Sequence, residues 1–176
     1  FDQMSMGLSG VLVIGDPDGG ANELDSYTSR LLVLKNALLS GSTIRIPTAT
    51  SLPPNPIQTF TVNGQINPVL DVPSNQWQVF NLANVGANAF YSLQLNTEPD
   101  GSGPSQPLFL VGMDGNPFYG VQSFPGTGAG QNALGVPPGL RWSFTFKPGS
   151  AGQTYYLIGI SNPAQVGTFP SDVWPN

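Results

Sequence analysis

The chain has 176 residues, ten Asp and Glu against five Lys and Arg, a formal net charge of −5, and neither His nor Cys. Without imidazole or thiol it has no Ser-His-Asp or Cys-His nucleophile, no zinc site of nitrogen and sulfur ligands, and no blue-copper ligand set. So few basic residues cannot neutralise a phosphate backbone, which argues against nucleic acid and anionic membrane surfaces as partners.

Apolar residues make up 39% of the chain, with ten Phe and three Trp, enough for one core. The 22 Gly and 18 Pro read as punctuation between regular apolar segments. Gly10 to Ile14 is a short continuous apolar run that suits a strand buried on both faces, closed by the Asp16-Pro17-Asp18-Gly19 turn. Arg30 to Leu39 suits a helix by its leucines. The strand reading is preferred because the adjoining Thr43 to Ile46 alternates polar and apolar residues.

Ile57 to Val62 ends at Asn63-Gly64, a strong turn dipeptide. Strands are then predicted at Trp77 to Leu82, Phe90 to Leu95 and Leu108 to Val111, the last running into a turn over Met113 to Pro117. Trp142 to Phe146 alternates cleanly, and Thr154 to Ile160 completes a set of about nine strands, the pattern of an all-β sandwich or barrel. No apolar run reaches the roughly 20 residues that span a bilayer. A start at Phe1 without a signal peptide suggests a chain cut from something longer, and low Lys content with many Asn, Gln, Ser and Thr points to a secreted or periplasmic protein.

Several clusters carry a chemical reading beside a structural one. Met4 and Met6 would put two thioethers on one strand face, which suits Cu(I) but lacks a third ligand, so core packing is preferred. Asp16, Asp18, Asn22, Glu23 and Asp25 gather oxygen ligands as Ca²⁺ requires, yet miss the EF-hand spacing and read as a solvated linker. Glu98 and Asp100 are a close carboxylate pair, but in one short loop they will not flank a sugar as a glycoside hydrolase needs. Trp77, Trp142 and Trp174 offer either a sugar platform or core aromatics. Gly126 to Gly130 lacks the Lys-Ser/Thr of a phosphate loop.

Two groups of residues resemble the multicopper oxidases, laccase-like enzymes built from cupredoxin domains. Gly7-Leu8-Ser9-Gly10-Val11-Leu12-Val13-Ile14 resembles the segment ending their first domain, which in the family closely follows a His-x-His copper pair; this sequence starts too late to show that pair. Phe60 to Gln65 with Pro68 is similar to the family's Val-Asn-Gly turn. Trp77 to Asn84 resembles its Trp-Arg-x-Arg-x-x-Asn segment, with Gln78 and Asn81 in place of the arginines. Leu110 to Gly115 resembles the Asp-Gly turn, and Val136 to Arg141 the Pro-Gly-x-Arg before a penultimate strand.

This resemblance implies a Greek-key, cupredoxin-like β-sandwich or barrel, the copper-free middle domain of a three-domain protein. Residues 1–15 would be the last strand of the preceding domain, 16–28 a linker, 29–165 the domain and 166–176 a tail. Flanking domains would carry the His and Cys ligands and the copper, and the parent would couple one-electron substrate oxidation to reduction of dioxygen to water. The motif residues Asn63, Gly64, Asp114, Gly115 and Arg141 would be structural, with Asp114 and Arg141 as an ion pair between loops. No catalytic or metal-ligating residue is expected in this chain, and 122–136 is the expected cleft or interdomain contact. The alternatives are a free-standing β-sandwich that binds carbohydrate or protein through aromatics, and a purely structural module. Exposure of Trp77 or Trp142 would favour the binding module, and an unpaired apolar segment at Gly7 to Ile14 would count against a free-standing protein.

Overall fold

In the computed structural model, residues 8–12, 27–40, 43–45, 57–87, 89–124 and 133–159 are described. They contain ten strands: β1 (Ser29–Ser40), β2 (Thr43–Arg45), β3 (Ile57–Val62), β4 (Gln78–Asn84), β5 (Tyr91–Asn96), β6 (Leu108–Met113), β7 (Asn116–Phe124), β8 (Leu134–Val136), β9 (Arg141–Phe146) and β10 (Tyr156–Gly159). One sheet runs β2-β1-β4-β9-β6-β7 with β3 also paired to β1, and the other runs β10-β5-β8. From β4 onward the chain changes sheet at every connection except β6 to β7, the cross-over habit of Greek-key sandwiches.

The leucine-rich run is therefore a strand. β1 pairs in parallel with β4 over its first half and antiparallel with β3 over its second. Burial alternates along it, with Leu32, Leu34 and Asn36 inward, a period of two that a helix would not give. Its outward-facing Leu31, Val33 and Ala37 are half-buried and apolar too, which makes the run read as continuous. β4, between β1 and β9, goes further: Phe80 and Leu82 belong to the core, while Val79 and Ala83 on the other face are also only 5% and 4% exposed.

The core lies between the sheets. Leu32, Leu34, Phe80, Leu82, Leu108, Leu110, Trp142, Phe144 and Phe146 of the larger sheet meet Leu93, Leu95, Leu134 and Val136 of the smaller. Phe80 and Phe144 are directly opposed across β4 and β9 and stack at 5.3 Å. Full burial of such a side chain is worth up to about 3 kcal/mol, so this pair anchors the centre of the sheet.

Of the expected strand Gly10 to Ile14 only residues 10–12 are described; they pair with no strand among the described residues, and Leu12 is 85% exposed. Two strands form where none was expected. β7 is a strand where only a turn was expected. It lies at the sheet edge, is exposed over most of its length, and so carries no amphipathic signal. β8, three residues long, is too short to show a period, although Leu134 and Val136 are among the most buried side chains.

Candidate functional site

The motif residues lie along one line across the larger sheet. Asn63 and Gly64 have φ of 52° and 78°, and Asp114 and Gly115 have φ of 52° and 83°. Two successive left-handed residues make the type I′ turn, which Asn-Gly and Asp-Gly favour because these residues tolerate positive φ best. Each turn docks onto the strand beside it in the same way. Asn63 N–H donates to the Val33 carbonyl at 2.9 Å while Val33 N–H donates to Asn63 Oδ1 at 2.8 Å. Asp114 N–H donates to the Arg141 carbonyl at 2.9 Å while Arg141 N–H donates to Asp114 Oδ1 at 2.9 Å.

Val33 pairs with Ala83, and Ala83 with Arg141, so the two turns end a single row running Asn63, Val33, Ala83, Arg141, Asp114. At the usual strand spacing that row is about 19 Å long. The two turns do not meet. They clamp opposite ends of one cross-section of three strands.

Arg141 and Asp114 do form the expected pair, but the charges contribute little. Nη2 is 3.8 Å from Oδ1, and both side chains are largely exposed at 55% and 41%. A pair this exposed is worth ~1 kcal/mol at most. The shorter contacts involve backbone atoms, including Arg141 Nη2 donating to the Asp114 carbonyl at 2.9 Å.

The most demanding polar centre is Asn84, which the motif includes but which sequence reasoning did not single out. It closes β4 at 1% exposure. Its Nδ2 donates to the carbonyls of Ala89 at 2.7 Å and Val136 at 2.8 Å, and its Oδ1 accepts from Gly86 N–H at 2.9 Å. Its backbone N–H and carbonyl bind Leu140 and Gly139. One amide thus ties β4 to β8 in the opposite sheet and to the loop after β4. Gly86 fits against it because a Cβ there would collide with the side chains of Asn36 and Asn84.

Two further amides of the Trp77 segment, Gln78 and Asn81, bridge β4 to its neighbours. Gln78, 1% exposed, accepts from Arg30 Nε at 3.4 Å, which places a guanidinium from β1 beside it. Asn81 donates to Ser29 Oγ at 2.9 Å and accepts from Ser143 Oγ at 2.7 Å, spanning β1, β4 and β9.

The carboxylates of the 97–106 loop are local devices. Asn96, 1% exposed, donates to the Gly103 carbonyl and accepts from Glu98 N–H. Asp100 Oδ1 accepts from the Ser102 hydroxyl at 2.6 Å and its N–H at 3.0 Å, and the hydroxyl bond above all holds its carboxyl below the usual range. A carboxyl stabilised in its ionised form is the opposite of a general acid.

Trp142 is 2% exposed, with Nε1 donating to the Gly135 carbonyl at 2.9 Å, so it is a core residue. Trp77 is 38% exposed, set edge-on against Phe109 at 5.3 Å and 77°. The Tyr91 hydroxyl is buried with no hydrogen-bond partner among the described residues, and burial pushes it up to about 12. Met4, Met6, the Asp16 to Asp25 cluster, Gly126 to Gly130, most of the 122–136 stretch and Trp174 lie outside the described residues.

No family model matches the chain, and no curated protein is similar to it in sequence. Solved structures are similar in fold. A multicopper oxidase variant from Aquifex aeolicus superimposes with a TM-score of 0.59 at 18% identity, over 77% of this chain and 28% of that one. The chain has the cupredoxin-like fold of a multicopper-oxidase domain. A multicopper oxidase from Pseudomonas thermotolerans gives a TM-score of 0.57 at 20% identity, over 75% of this chain and 30% of that one. Fet3p, a multicopper oxidase that functions in iron import, gives 0.53 at 14%, over 82% and 25%. The cupredoxin-like chain thus spans between a quarter and three tenths of the length of these neighbours.

The fold family implies copper, but the residues of this cupredoxin-like domain do not suit it. The sequence has neither imidazole nor thiolate to ligate it. Among the described residues, no group of three or more Asp or Glu could hold a metal. The one described methionine, Met113, packs against the core.

Proposed function

We propose that this chain is a copper-free, structural middle domain of a multicopper-oxidase-like protein, holding copper-bearing flanking domains in register. The observation that carries this reading is a cupredoxin-like sandwich of multicopper-oxidase topology whose sequence contains no His or Cys. The amides of Asn63, Asn81, Asn84 and Asn96 support it, since each is bonded to backbone or side-chain groups of the sandwich itself.

Residues 1–15 are read as the closing strand of a preceding domain, 16–28 as a linker, 29–165 as the domain and 166–176 as a tail. The exposed Leu8 and Leu12 support this, since an apolar segment without a strand partner is a liability in a free-standing module. The parent would take single electrons from a reducing substrate and pass them to dioxygen, forming water at copper held by its other domains, in a secreted or periplasmic setting. For the carbohydrate-binding alternative, Trp77 is the one exposed tryptophan among the described residues, and a ring with its edge against Phe109 is a thin platform.

The test compares Leu8→Ser with Leu12→Ser in this chain and in the longer polypeptide. In the chain alone, both changes should leave the melting temperature of the sandwich unchanged. In the longer protein they should lower the melting temperature of the preceding domain. A clear loss of stability in the isolated chain would assign 8–12 to this sandwich and refute the domain boundary.

A further inference from the structure

The two docked turns differ in one atom, and that difference singles out Asn63. Asn63 Nδ2 donates to the Leu31 carbonyl at 2.9 Å. With Oδ1 on Val33 N–H and its own N–H on the Val33 carbonyl, Asn63 satisfies three successive backbone groups of β1 beyond the point where β3 has ended. Asp114 makes the same two Arg141 contacts without any amide donor, so the turn itself accepts a carboxylate. Only the Leu31 carbonyl requires an amide at position 63.

Asn63 is also followed by Gly64, whose missing side chain leaves its backbone nitrogen unhindered and which has open space around its Cα. We propose that Asn63 is a site of spontaneous deamidation that the folded β1–β3 edge keeps closed. In the reaction the Gly64 nitrogen loses its proton and attacks Asn63 Cγ. A C–N bond forms, the bond to the side-chain amide breaks, and ammonia leaves. Water then opens the resulting succinimide to aspartate or isoaspartate, so nothing beyond solvent is needed.

The fold blocks the first step in two ways. Gly64 N reaches Cγ only by rotation of ψ and χ1 of Asn63, and the type I′ turn, with φ of 52° and ψ of about +30°, fixes the first while the bonds of Oδ1 and Nδ2 to β1 fix the second. The side-chain amide is fixed at both ends on β1. Conversion therefore has to wait for local opening of the hairpin, and its rate reports that opening.

The consequence is directional. Aspartate at 63 keeps the Val33 contact but turns an oxygen lone pair towards the Leu31 carbonyl, exchanging attraction for repulsion. Isoaspartate lengthens the main chain within a two-residue turn and unseats it. Either product loosens β3 from β1 while leaving the Asp114 turn, at the far end of the same row, intact.

The test is peptide mapping by mass spectrometry after incubation at mildly alkaline pH. Asn63 conversion in the folded chain is compared with that in a synthetic peptide of residues 58–68. Asn67, followed by Pro68 with no N–H, serves as the internal control. Conversion in the folded chain should be slower than in the peptide by at least about tenfold and should reach the peptide rate in denaturant. Equal rates in the folded chain and the peptide would overturn the proposal. Independently, Asn63→Asp should lower the melting temperature at neutral pH and recover on acidification, when the protonated carboxyl again donates to Leu31. Asp114→Asn should leave the melting temperature unchanged. An Asn63→Asp chain as stable as the parent at neutral pH would refute the predicted consequence.

Discussion

Asn84→Ala removes one amide from a site that is 1% exposed and with it three hydrogen bonds, to the carbonyls of Ala89 and Val136 and from the N–H of Gly86. A made hydrogen bond contributes about 1 kcal/mol net, while an orphaned buried group costs about 1 to 3 kcal/mol. Water entering the vacated space would recover part of that loss, so the expected destabilisation is roughly 3 to 5 kcal/mol. For a domain of this size that is a fall in melting temperature on the order of 10 °C. Urea unfolding followed by Trp fluorescence is a suitable assay, because Trp142 is buried beside β8 and reports separation of the sheets. Asn84→Asp adds a sign. The carboxylate can still accept from Gly86 but faces two carbonyls, so its folded pKa must lie above its unfolded value. Stability of that variant is then greatest below the unfolded pKa and declines as pH rises through the folded one. A loss below about 1 kcal/mol for Asn84→Ala would refute the claim that this amide ties the two sheets together.

Arg141→Ala should cost no more than about 1 kcal/mol, and high salt should barely affect the parent, since the 3.8 Å contact to Asp114 is exposed. A large effect in calorimetry that high salt removes would restore the ion pair as a main element of the clamp, and one that salt leaves in place would belong to the 2.9 Å bond from Nη2 to the Asp114 carbonyl. Tyr91 gives an alkaline signature. Burial raises the folded phenol from 10.0 to about 12, so the unfolded state ionises first and stability is lost as pH rises above 10. Tyr91→Phe should flatten that slope at little cost, because the hydroxyl has no described partner to lose, and an unchanged slope in pH-dependent denaturation would contradict this. Gly86→Ala should destabilise by more than about 1 kcal/mol, because the added methyl collides first with Asn36 Oδ1 and also meets the Asn84 amide; a neutral result by thermal melt would mean that the Asn36 side chain can move aside.

What was legible in the sequence followed from side-chain periodicity and turn chemistry. β9 alternates cleanly in Arg141 to Phe146, and both type I′ turns were announced by Asn-Gly and Asp-Gly, because left-handed backbone leaves few residue choices. β1 was ambiguous because its outward-facing Leu31, Val33 and Ala37 are apolar as well as its buried Leu32 and Leu34, so the run shows no clean period of two and resembles a leucine-rich helix. β7 was missed because an exposed edge strand with Pro117 and Gly120 has no buried face to set a period. The clamp residues were named by resemblance, but their shared row was not, since the register linking Val33, Ala83 and Arg141 joins residues fifty or more positions apart. Asn84 was similarly hidden. Its partners Ala89 and Val136 contribute only carbonyls, which every residue has, and the only local signal is a polar side chain closing an apolar run before Val85-Gly86.

The central claim, that this chain is the copper-free structural part of a larger oxidase, is tested most directly by denaturing intact-mass analysis of the native material with copper quantified in the same sample. The account predicts a longer polypeptide containing this sequence together with His- and Cys-bearing regions, with copper bound. A lone, folded 18.5 kDa species without copper would contradict it and would leave a free-standing β-sandwich whose ligand has to be sought elsewhere.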